Sequence, residues 1–378
     1  MNYLVKVINN MYLMFADTPV LYFDFDDFIV EVINEQFLPY SLQGKFTRTV
    51  APKDLLRNMQ YFKSWLSRRV LSLSRANAKQ IYTMYQIPQL DDIETRVKIC
   101  LACKGVAIQD SYWLAKDTNE KYESVNIRHK HFKEILEISL LGINPTITEN
   151  SICPELTTHG LFRKCWIRDD NDLYLLKSDN FQNNISTRME VLASKILDCF
   201  DTNLSIVEYT GRMRNTKVGK LYVSKCKNFI TDDYSFVEAW EIIEYCNTYN
   251  INFRQYMYSL DRNLADIPVL DFILVNTDRH TQNYGFLVDN KTNKIVSLAP
   301  IFDFNCALVA DYFNRSAEDT LSQMFNSAET LRQLAEQYRP YSNVRLNKDK
   351  YMKLRGSYSE YKHVFDKVYE RCLYLNVI

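Results

Sequence analysis

This sequence contains little glycine, no excess of one charge and no long apolar run. Only 8 of its 378 residues are Gly, whereas 26 are Tyr and 21 are Phe. This composition indicates a well-packed chain with few flexible linkers. Basic and acidic residues number 46 each, so no overall electrostatic field favours nucleic acid. No stretch approaches the ~20 apolar residues of a membrane-spanning helix, and we expect a soluble protein without membrane contact.

Cysteine usage and the start of the chain both point to a reducing compartment. The nine cysteines are an odd number spread along the chain. The apolar start is interrupted by Lys6 and Asp17 and has no small-residue cleavage site, so we do not expect a secretion signal. Reduced thiols and a cytoplasmic location are therefore expected. Cys100 and Cys103 lie in a helical pattern without a second pair at zinc spacing, which favours packed thiols over a metal site.

Residues 271–308 carry the main functional signal. An apolar, helix-compatible segment leads into a polar cluster that contains Asp278 and Asn283. Two strand-like runs separated by a polar turn then predict a hairpin within residues 284–298. Asp303 follows the second strand. Folding the hairpin back would bring Asp278, Asn283 and Asp303 together.

These three side chains are the set that phosphoryl transfer requires. One carboxylate, here Asp278, orients a substrate hydroxyl and accepts its proton, while an Asn and a second Asp hold magnesium ions that bridge the phosphates. The spacing from Asp278 to Asn283 equals the D-x-x-x-x-N of protein-kinase catalytic loops. Asp303 and Phe304 occupy the place of the kinase D-F-G, with Asn305 instead of Gly.

A second group of residues upstream fits a phosphate-binding site. Gly160 near the start of a predicted hairpin would let backbone N–H groups approach phosphates. Lys177 ends the apolar strand 173–177 and could reach those phosphates as a point charge. Glu190 lies on an amphipathic helix predicted over residues 184–200, where it could pair with Lys177 as kinases require.

The sequence NTDRHTQNYGFLVD, followed by LAPIFDF, resembles the HipA-like serine/threonine kinases. The matching positions are Asn276, Asp278, His280, Asn283, Pro300 and Asp303. The resemblance implies an α+β fold in which a bilobed protein-kinase-like domain, with a small β-rich N-lobe and a helical C-lobe, follows an N-terminal α/β domain. It also implies ATP and Mg²⁺ as cofactors and a protein Ser or Thr as acceptor.

The same resemblance assigns the nucleotide-binding residues. Gly160 and Lys164 match the G-x-x-x-K phosphate loop of the family, and Lys177 matches its nucleotide-binding lysine. Thr157 stands three residues before the loop glycine, where family members carry a Ser that is autophosphorylated and then disorders the loop. A strand-end hydroxyl without modification is the alternative for Thr157.

Other roles rest on order along the chain. The segment 224–229, which includes Cys226 and Asn228, takes the position of the connection between the lobes, whose backbone would bind the adenine edge. His280 would brace the catalytic segment or contact phosphate, and Arg279 would steady the charge of Asp278.

We place an N-terminal accessory domain at residues 1–145, the N-lobe at 146–228 and the C-lobe at 229–378. The first boundary falls in the turn-rich stretch 142–151. In the accessory domain, the pattern predicts a hairpin within residues 12–25, followed by helices over 53–69, 76–85 and 93–103.

Further elements are predicted in the two lobes. Apolar runs predict strands at 204–209 and 221–223, separated by a polar turn at 211–219. Helical periodicity predicts helices over 235–249 and 253–270 and from 316 to the end. Pro268 would kink the second of these helices unless a helix begins there.

Two other functional classes stay open. One is a kinase-fold enzyme that modifies a lipid or a small molecule, or that transfers AMP. The other is a non-catalytic pseudokinase whose first 145 residues bind nucleic acid or a protein partner. The basic cluster of Arg68, Arg69, Arg75 and Lys79 favours the latter, but the complete set of catalytic residues counts against it.

Partners are implied by the resemblance alone. Many HipA-like kinases act as toxins that are controlled by an antitoxin, so an antitoxin or another regulatory protein would be a partner. Direct contact with nucleic acid is not expected, because the charge of the chain is balanced.

Overall fold

The computed structural model of the chain describes residues 10–48, 51–84, 88–130, 139–141, 162–178, 185–216 and 219–378. They form several small antiparallel sheets and mostly short helices, which confirms the expected α+β class. Within these ranges, no helix is both long and apolar enough to cross a membrane.

The amino-terminal region, residues 10–130, is built on a four-stranded sheet. Its strands are β1 (Asn10–Phe15), β2 (Thr18–Asp24), β3 (Ile29–Val32) and β4 (Tyr112–Ala115), in the order β3-β2-β1-β4. β1 pairs antiparallel with β2, which confirms the predicted hairpin.

Three helices pack with this sheet. They are α1 (Pro52–Arg68), α2 (Ala78–Met84) and α3 (Ile93–Ala102), and they confirm the three helices predicted here. Apolar residues of α1 recur at helical spacing and enter the core, where the ring of Phe62 lies 4.9 Å from that of Phe23. The region therefore has an apolar core of its own.

A second four-stranded sheet carries the upstream site residues. It consists of β5 (Arg163–Asp169), β6 (Asp172–Ser178), β8 (Tyr209–Thr216) and β9 (Gly219–Lys227), in the order β5-β6-β9-β8. Helix α4 (Ile185–Leu197) packs against β8 and β9, and the two-residue strand β7 (Phe200–Asp201) follows it.

The strand prediction at 204–209 and the turn prediction at 211–219 are wrong. The strand instead runs through Tyr209–Thr216, which is most of the predicted turn. β8 lies at an edge of the sheet, and nearly all of its side chains are exposed or half-buried. Such a strand has no apolar alternation, so hydrophobic patterning cannot reveal it.

A third sheet has three strands, β10 (Tyr234–Glu238), β11 (Gly285–Asp289) and β12 (Lys294–Leu298), in that spatial order. The pairing of β11 with β12 confirms the hairpin predicted after the polar cluster that contains Asp278 and Asn283. The surrounding helices are α5 (Ala239–Thr248), α6 (Phe253–Leu260), α7 (Asp266–Ile273), α8 (Val309–Tyr312), α9 (Leu331–Tyr338), α10 (Lys348–Ser357) and α11 (Lys362–Tyr374).

Three helix predictions need correction. The helix predicted from residue 235 begins only at Ala239, because β10 pairs with β11. The helix predicted over 253–270 is divided at Asp261, whose carboxylate accepts the N–H groups of Asn263 and Leu298. Pro268 is the third residue of α7, in the first turn of the helix, where its missing N–H costs no helical hydrogen bond. A helix therefore begins at this place, and Pro268 does not kink a longer one. The third, the segment predicted to be helical from 316 to the end, forms α-helices only from Leu331 onward and is interrupted by strand β13 (Arg345–Leu346), which pairs with β7.

The amino-terminal region contacts the rest of the chain through polar bonds. The hydroxyl of Ser41 donates to the carboxylate of Glu241 at 2.8 Å, and the N–H of Phe236 donates to the carbonyl of Gln109 at 2.7 Å. The boundary predicted at 142–151 lies outside the described residues.

Candidate active site

Lys177 lies at the centre of a buried ionic cluster. Its ammonium group is 2.6 Å from the carboxylate of Glu190 on α4 and 2.9 Å from the carboxylate of Asp303. The hydroxyl of Ser224 on β9 donates to the other oxygen of Glu190 at 2.7 Å. Three distant parts of the chain are therefore joined at one lysine.

The pKa values in this cluster follow from burial and pairing. Burial alone would lower the pKa of Lys177, but Asp303 and Glu190 outweigh it and raise that pKa well above its usual range. Burial would raise the pKa of Asp303, but Lys177 and Lys164 hold it below its usual value. Asp303 is therefore ionised at neutral pH, as a metal-binding carboxylate must be.

Lys164 adds a second buried cation to the same place. It lies directly opposite Lys177 in the pairing of β5 with β6. Burial, with Lys177 as a further cause, lowers the pKa of Lys164 to about 8, although Asp303 opposes the shift. Two ammonium groups side by side in a buried site suit a polyanionic ligand.

Arg279 fixes both ends of the hairpin formed by β11 and β12. Its guanidinium is fully buried and forms an ion pair of 3.0 Å with Asp271 of α7. It also donates to the carbonyl of Asn283, before β11, and to the carbonyl of Phe302, after β12. We expected Arg279 to steady the charge of Asp278, but its ion-pair partner is Asp271. It nevertheless helps to counter the effect of burial on the pKa of Asp278.

Asp278 carries a half-buried carboxyl group at the start of the hairpin. Within the described part of the chain no hydrogen bond reaches that carboxyl group. Burial raises its pKa, Asp303 adds to the rise, and His280 opposes it. The backbone carbonyl of Asp278 accepts the side-chain amide of Asn283 at 2.8 Å, which fixes the Asn side chain.

The backbone at Asp303 is in an uncommon conformation. Its φ is +59°, in the left-handed region that non-glycine residues seldom adopt. The N–H of Asp303 donates to the hydroxyl of Tyr209 at 3.0 Å, which holds the residue in place. Conformations of this kind concentrate at functional sites, where the surrounding structure maintains them.

A cavity of about 730 Å³ is lined by several of these groups, but Asp278 and Glu190 are not among its lining residues. Its polar lining includes Lys164, Lys177, His280, Asn283 and Asp303. Its apolar wall includes Leu175, Val207, Phe229, Ile230 and Phe302. A volume of this size with an apolar wall and a few convergent charges is typical of a small-molecule site.

The segment after β9 offers free backbone groups to this cavity. Cys226 is in a central strand, paired with Leu175 and Tyr209 on its two sides, and its side chain lines the cavity. Asn228 donates its N–H to the carbonyl of Leu173 at 2.8 Å. Among the described residues, no partner is present for the N–H or the carbonyl of Phe229. Phe229 can therefore donate and accept at the edge of a planar base.

The donor set fits a hard cation. One oxygen of Asp303 bonds to Lys177, and within the described ranges its other oxygen and the amide oxygen of Asn283 have no hydrogen-bond partner. Mg²⁺ prefers oxygen ligands and commonly binds through one or two carboxylates together with substrate phosphates. The described residues contain no cluster of three or more His, Cys, Asp or Glu that could hold a metal.

Two predicted site residues cannot be placed, since Thr157 and Gly160 lie outside the described residues. Sequence reasoning also missed three residues, namely Asp271, Tyr209 and Ser224. Only Asp271 gave a signal, because a carboxylate inside the apolar run of α7 needs a buried partner.

Comparisons with known proteins add little. No protein-family model matches the chain, and no curated protein matches it in sequence. The solved structure of the Helicobacter pylori proinflammatory kinase CtkA is similar at a TM-score of 0.39, with 18% sequence identity. The similarity covers 57% of this chain and 92% of that one. A likeness of this degree leaves the function to be inferred from the site.

Proposed function

We propose that this protein transfers the γ-phosphoryl group of ATP, with Mg²⁺, to a Ser or Thr hydroxyl of a protein. One observation carries the proposal. The ammonium of Lys177 joins the carboxylates of Glu190 and Asp303 at 2.6 and 2.9 Å on the wall of a cavity. A lysine held by a helix Glu beside a metal-binding Asp is the arrangement that protein kinases require.

ATP would occupy the cavity between the sheet that contains β6 and the hairpin that follows Asp278. Its adenine would lie against the apolar wall, with its edge at the backbone of Phe229. Its phosphates would lie beside Lys164 and Lys177. In the proposed bilobed arrangement, β5, β6, β8, β9 and α4 would form the N-lobe and the segments from β10 onward would form the C-lobe.

Asn283 and Asp303 would hold Mg²⁺ through the oxygens that have no partner among the described residues. The ion would supply positive charge to the phosphate oxygens as negative charge develops there. Arg279 keeps both ligands in register, because it bonds to the carbonyls of Asn283 and Phe302.

Asp278 would accept the hydrogen bond of the acceptor hydroxyl. The hydroxyl oxygen forms a bond to the γ-phosphorus, the bond from that phosphorus to the β–γ bridging oxygen breaks, and ADP leaves. The hydroxyl proton passes to Asp278, whose carboxyl group is not engaged by other described residues. Catalysis is then positioning and charge neutralisation, which can supply most of the rate enhancement.

The finer assignments rest on the resemblance to HipA-like kinases. It favours a protein Ser or Thr over a lipid or small-molecule acceptor, and it makes Thr157 the residue to examine for autophosphorylation. The same resemblance also suggests a toxin-type role with an antitoxin partner.

Labelled ATP tests the proposal. Purified protein is incubated with γ-labelled or α-labelled ATP and Mg²⁺, beside the variants Asp278→Ala and Asp349→Ala. Asp349 is exposed on α10 and serves as the matched control. We expect γ-label on protein Ser or Thr with the wild type and Asp349→Ala, and none with Asp278→Ala or with EDTA.

The two labels separate the alternatives. Transfer of the α-label to protein would show that the enzyme transfers AMP and not the γ-phosphoryl group. ATP binding without transfer to any protein would favour a lipid or small-molecule acceptor or a pseudokinase. Absence of ATP binding would refute the site. Mapping the label then decides whether Thr157 is modified.

A further inference from the structure

The cavity that holds Lys177 and Asp303 has a second wall from the amino-terminal region. Ser64, Ser67 and Arg68 of α1 line it. Their spacing of three and four positions places them on one face of the helix. The apolar residues Phe62 and Leu66 are buried in the core of the amino-terminal region. Helix α1 therefore packs with its apolar residues and presents a polar face to the cavity.

Two consecutive arginines at the end of α1 have opposite environments. Arg69 is buried, pairs with Asp110 at 2.7 Å and donates to the carbonyl of Gly105. Arg68 is exposed and lines the cavity, and no carboxylate of the described residues pairs with it. Arg69 and Arg75 are both buried, so only Arg68 and Lys79 of the basic cluster are exposed to form a solvated helical face or, as the alternative, a nucleic-acid or partner surface. The charge of Arg68 is left for a ligand.

Trp240 holds Arg68 next to the catalytic hairpin. The guanidinium carbon of Arg68 lies 4.5 Å from the centre of a Trp240 ring. The N–H of Trp240 donates to the carbonyl of Thr281 at 3.2 Å, and its indole N–H donates to the carboxylate of Glu238. Thr281 lies between Asp278 and Asn283. Stacking on a fixed ring limits the freedom of the guanidinium, so less entropy is lost when it binds an anion.

The structure thus assigns Arg68 to the nucleotide site. We infer that its guanidinium binds phosphate oxygens of the nucleotide and that the amino-terminal region supplies a ligand-binding residue to the active site. Guanidinium and phosphate form charge-assisted, often bidentate hydrogen bonds. Ser64 adds a hydroxyl that has no hydrogen-bond partner among the described residues. The inference rests on the proposed function, since the phosphates are those of the proposed ATP.

Equilibrium binding of ATP, ADP and adenosine tests this contact. The full-length wild type is compared with Arg68→Gln, Arg68→Lys and the control Arg57→Gln. Arg57 is an exposed arginine of the same helix that lies outside the cavity lining. We expect Arg68→Gln to weaken ATP binding roughly tenfold, as loss of one charged hydrogen bond does. Adenosine binding should be unchanged, and Arg68→Lys should recover part of the loss.

The binding measurements distinguish failure of the Arg68 contact from failure of the nucleotide site. Equal weakening of ATP and adenosine would mean that Arg68 only shapes the wall, and unchanged ATP binding would mean that it makes no contact. Either result overturns the inference while the kinase proposal stands. If the wild type binds none of the three ligands, the nucleotide site itself is wrong. Urea unfolding of each variant excludes a folding defect as the cause.

Discussion

The ammonium of Lys177 and the carboxylate of Asp303 lie 2.9 Å apart, although 126 positions separate them in the chain. Both groups are buried, and Glu190 completes the contact from a third element. Folding thus brings one cation and two carboxylates out of water into a single site. Such a cluster is stable only while every member keeps its partners.

Replacing Lys177 by Met should therefore destabilise the fold as well as remove function. The change leaves Glu190 and Asp303 buried without their cation, and we expect a loss of about 3–5 kcal/mol in unfolding free energy. Urea denaturation measures it. Lys227→Met is the control, since Lys227 belongs to an exposed pair with Asp172 and should change little. A loss equally small in Lys177→Met would show that the cluster does not depend on this lysine.

Arg279→Lys should be far from conservative. A lysine cannot reproduce the fork that bonds to Asp271 and to the carbonyls of Asn283 and Phe302. We expect a loss of about 2–4 kcal/mol in unfolding free energy, together with weaker nucleotide binding, because the hairpin ends separate. Arg57→Lys at an exposed pair should have no such effect. Unchanged nucleotide binding in a destabilised Arg279→Lys protein would contradict the positioning role.

Asp278→Asn should separate catalysis from stability. The Asp278 side chain makes no hydrogen bond to described residues, and burial raises its pKa, so a neutral amide should be tolerated by the fold. We expect transfer to fall about 10²–10⁴-fold, the usual contribution of a general base, with ATP affinity retained. Measurements are the transfer rate, ATP binding and the unfolding midpoint. A parallel fall in all three would mean that Asp278 is a structural residue.

Glu238 should make stability fall as pH rises. Burial raises the pKa of its carboxyl group to about 7, with bonds from Trp240 and Gln282 opposing the shift. The folded state therefore binds an extra proton between pH 4.5, the usual value, and about 7, and the unfolding free energy declines across that window. Glu238→Gln should lose this decline and exceed the wild type by roughly 2–3 kcal/mol at pH 8.

Urea unfolding at pH 5, 6, 7 and 8 checks this expectation about Glu238. The exposed substitution Glu208→Gln is the control and should follow the wild type. A Glu238→Gln profile parallel to that of the wild type would show that the carboxyl group is not held neutral by burial.

The residues proposed for chemistry were accessible from sequence because their spacing is local. Asp278 and Asn283 are separated by a fixed interval, and the hairpin that follows them confirms the predicted turn. Lys177 and Glu190 were found because a strand and an amphipathic helix carry recognisable patterns. The hydrophobic periodicity of a strand or a helix is a local property of the sequence, so these elements could be predicted.

Elements decided by pairing could not be found in this way. Residues 235–238 were expected to be helical but belong to strand β10, because β11 lies beside them. Most of the polar strand Tyr209–Thr216, from residue 211 onward, was expected to be a turn, although its edge position allows its side chains to face solvent. Secondary structure at such places depends on long-range partners that no local pattern contains.

The sequence by itself determined the α+β class, and it singled out Lys177, Glu190, Asp278 and Asn283 as candidates for the site. Only the tertiary structure decided that Arg279 pairs with Asp271, that Arg69 is buried, and that Arg68 turns toward the cavity. The physical reason is the range of the interactions. Periodic burial acts over a few residues, whereas a buried charge must find its partner wherever the fold places one.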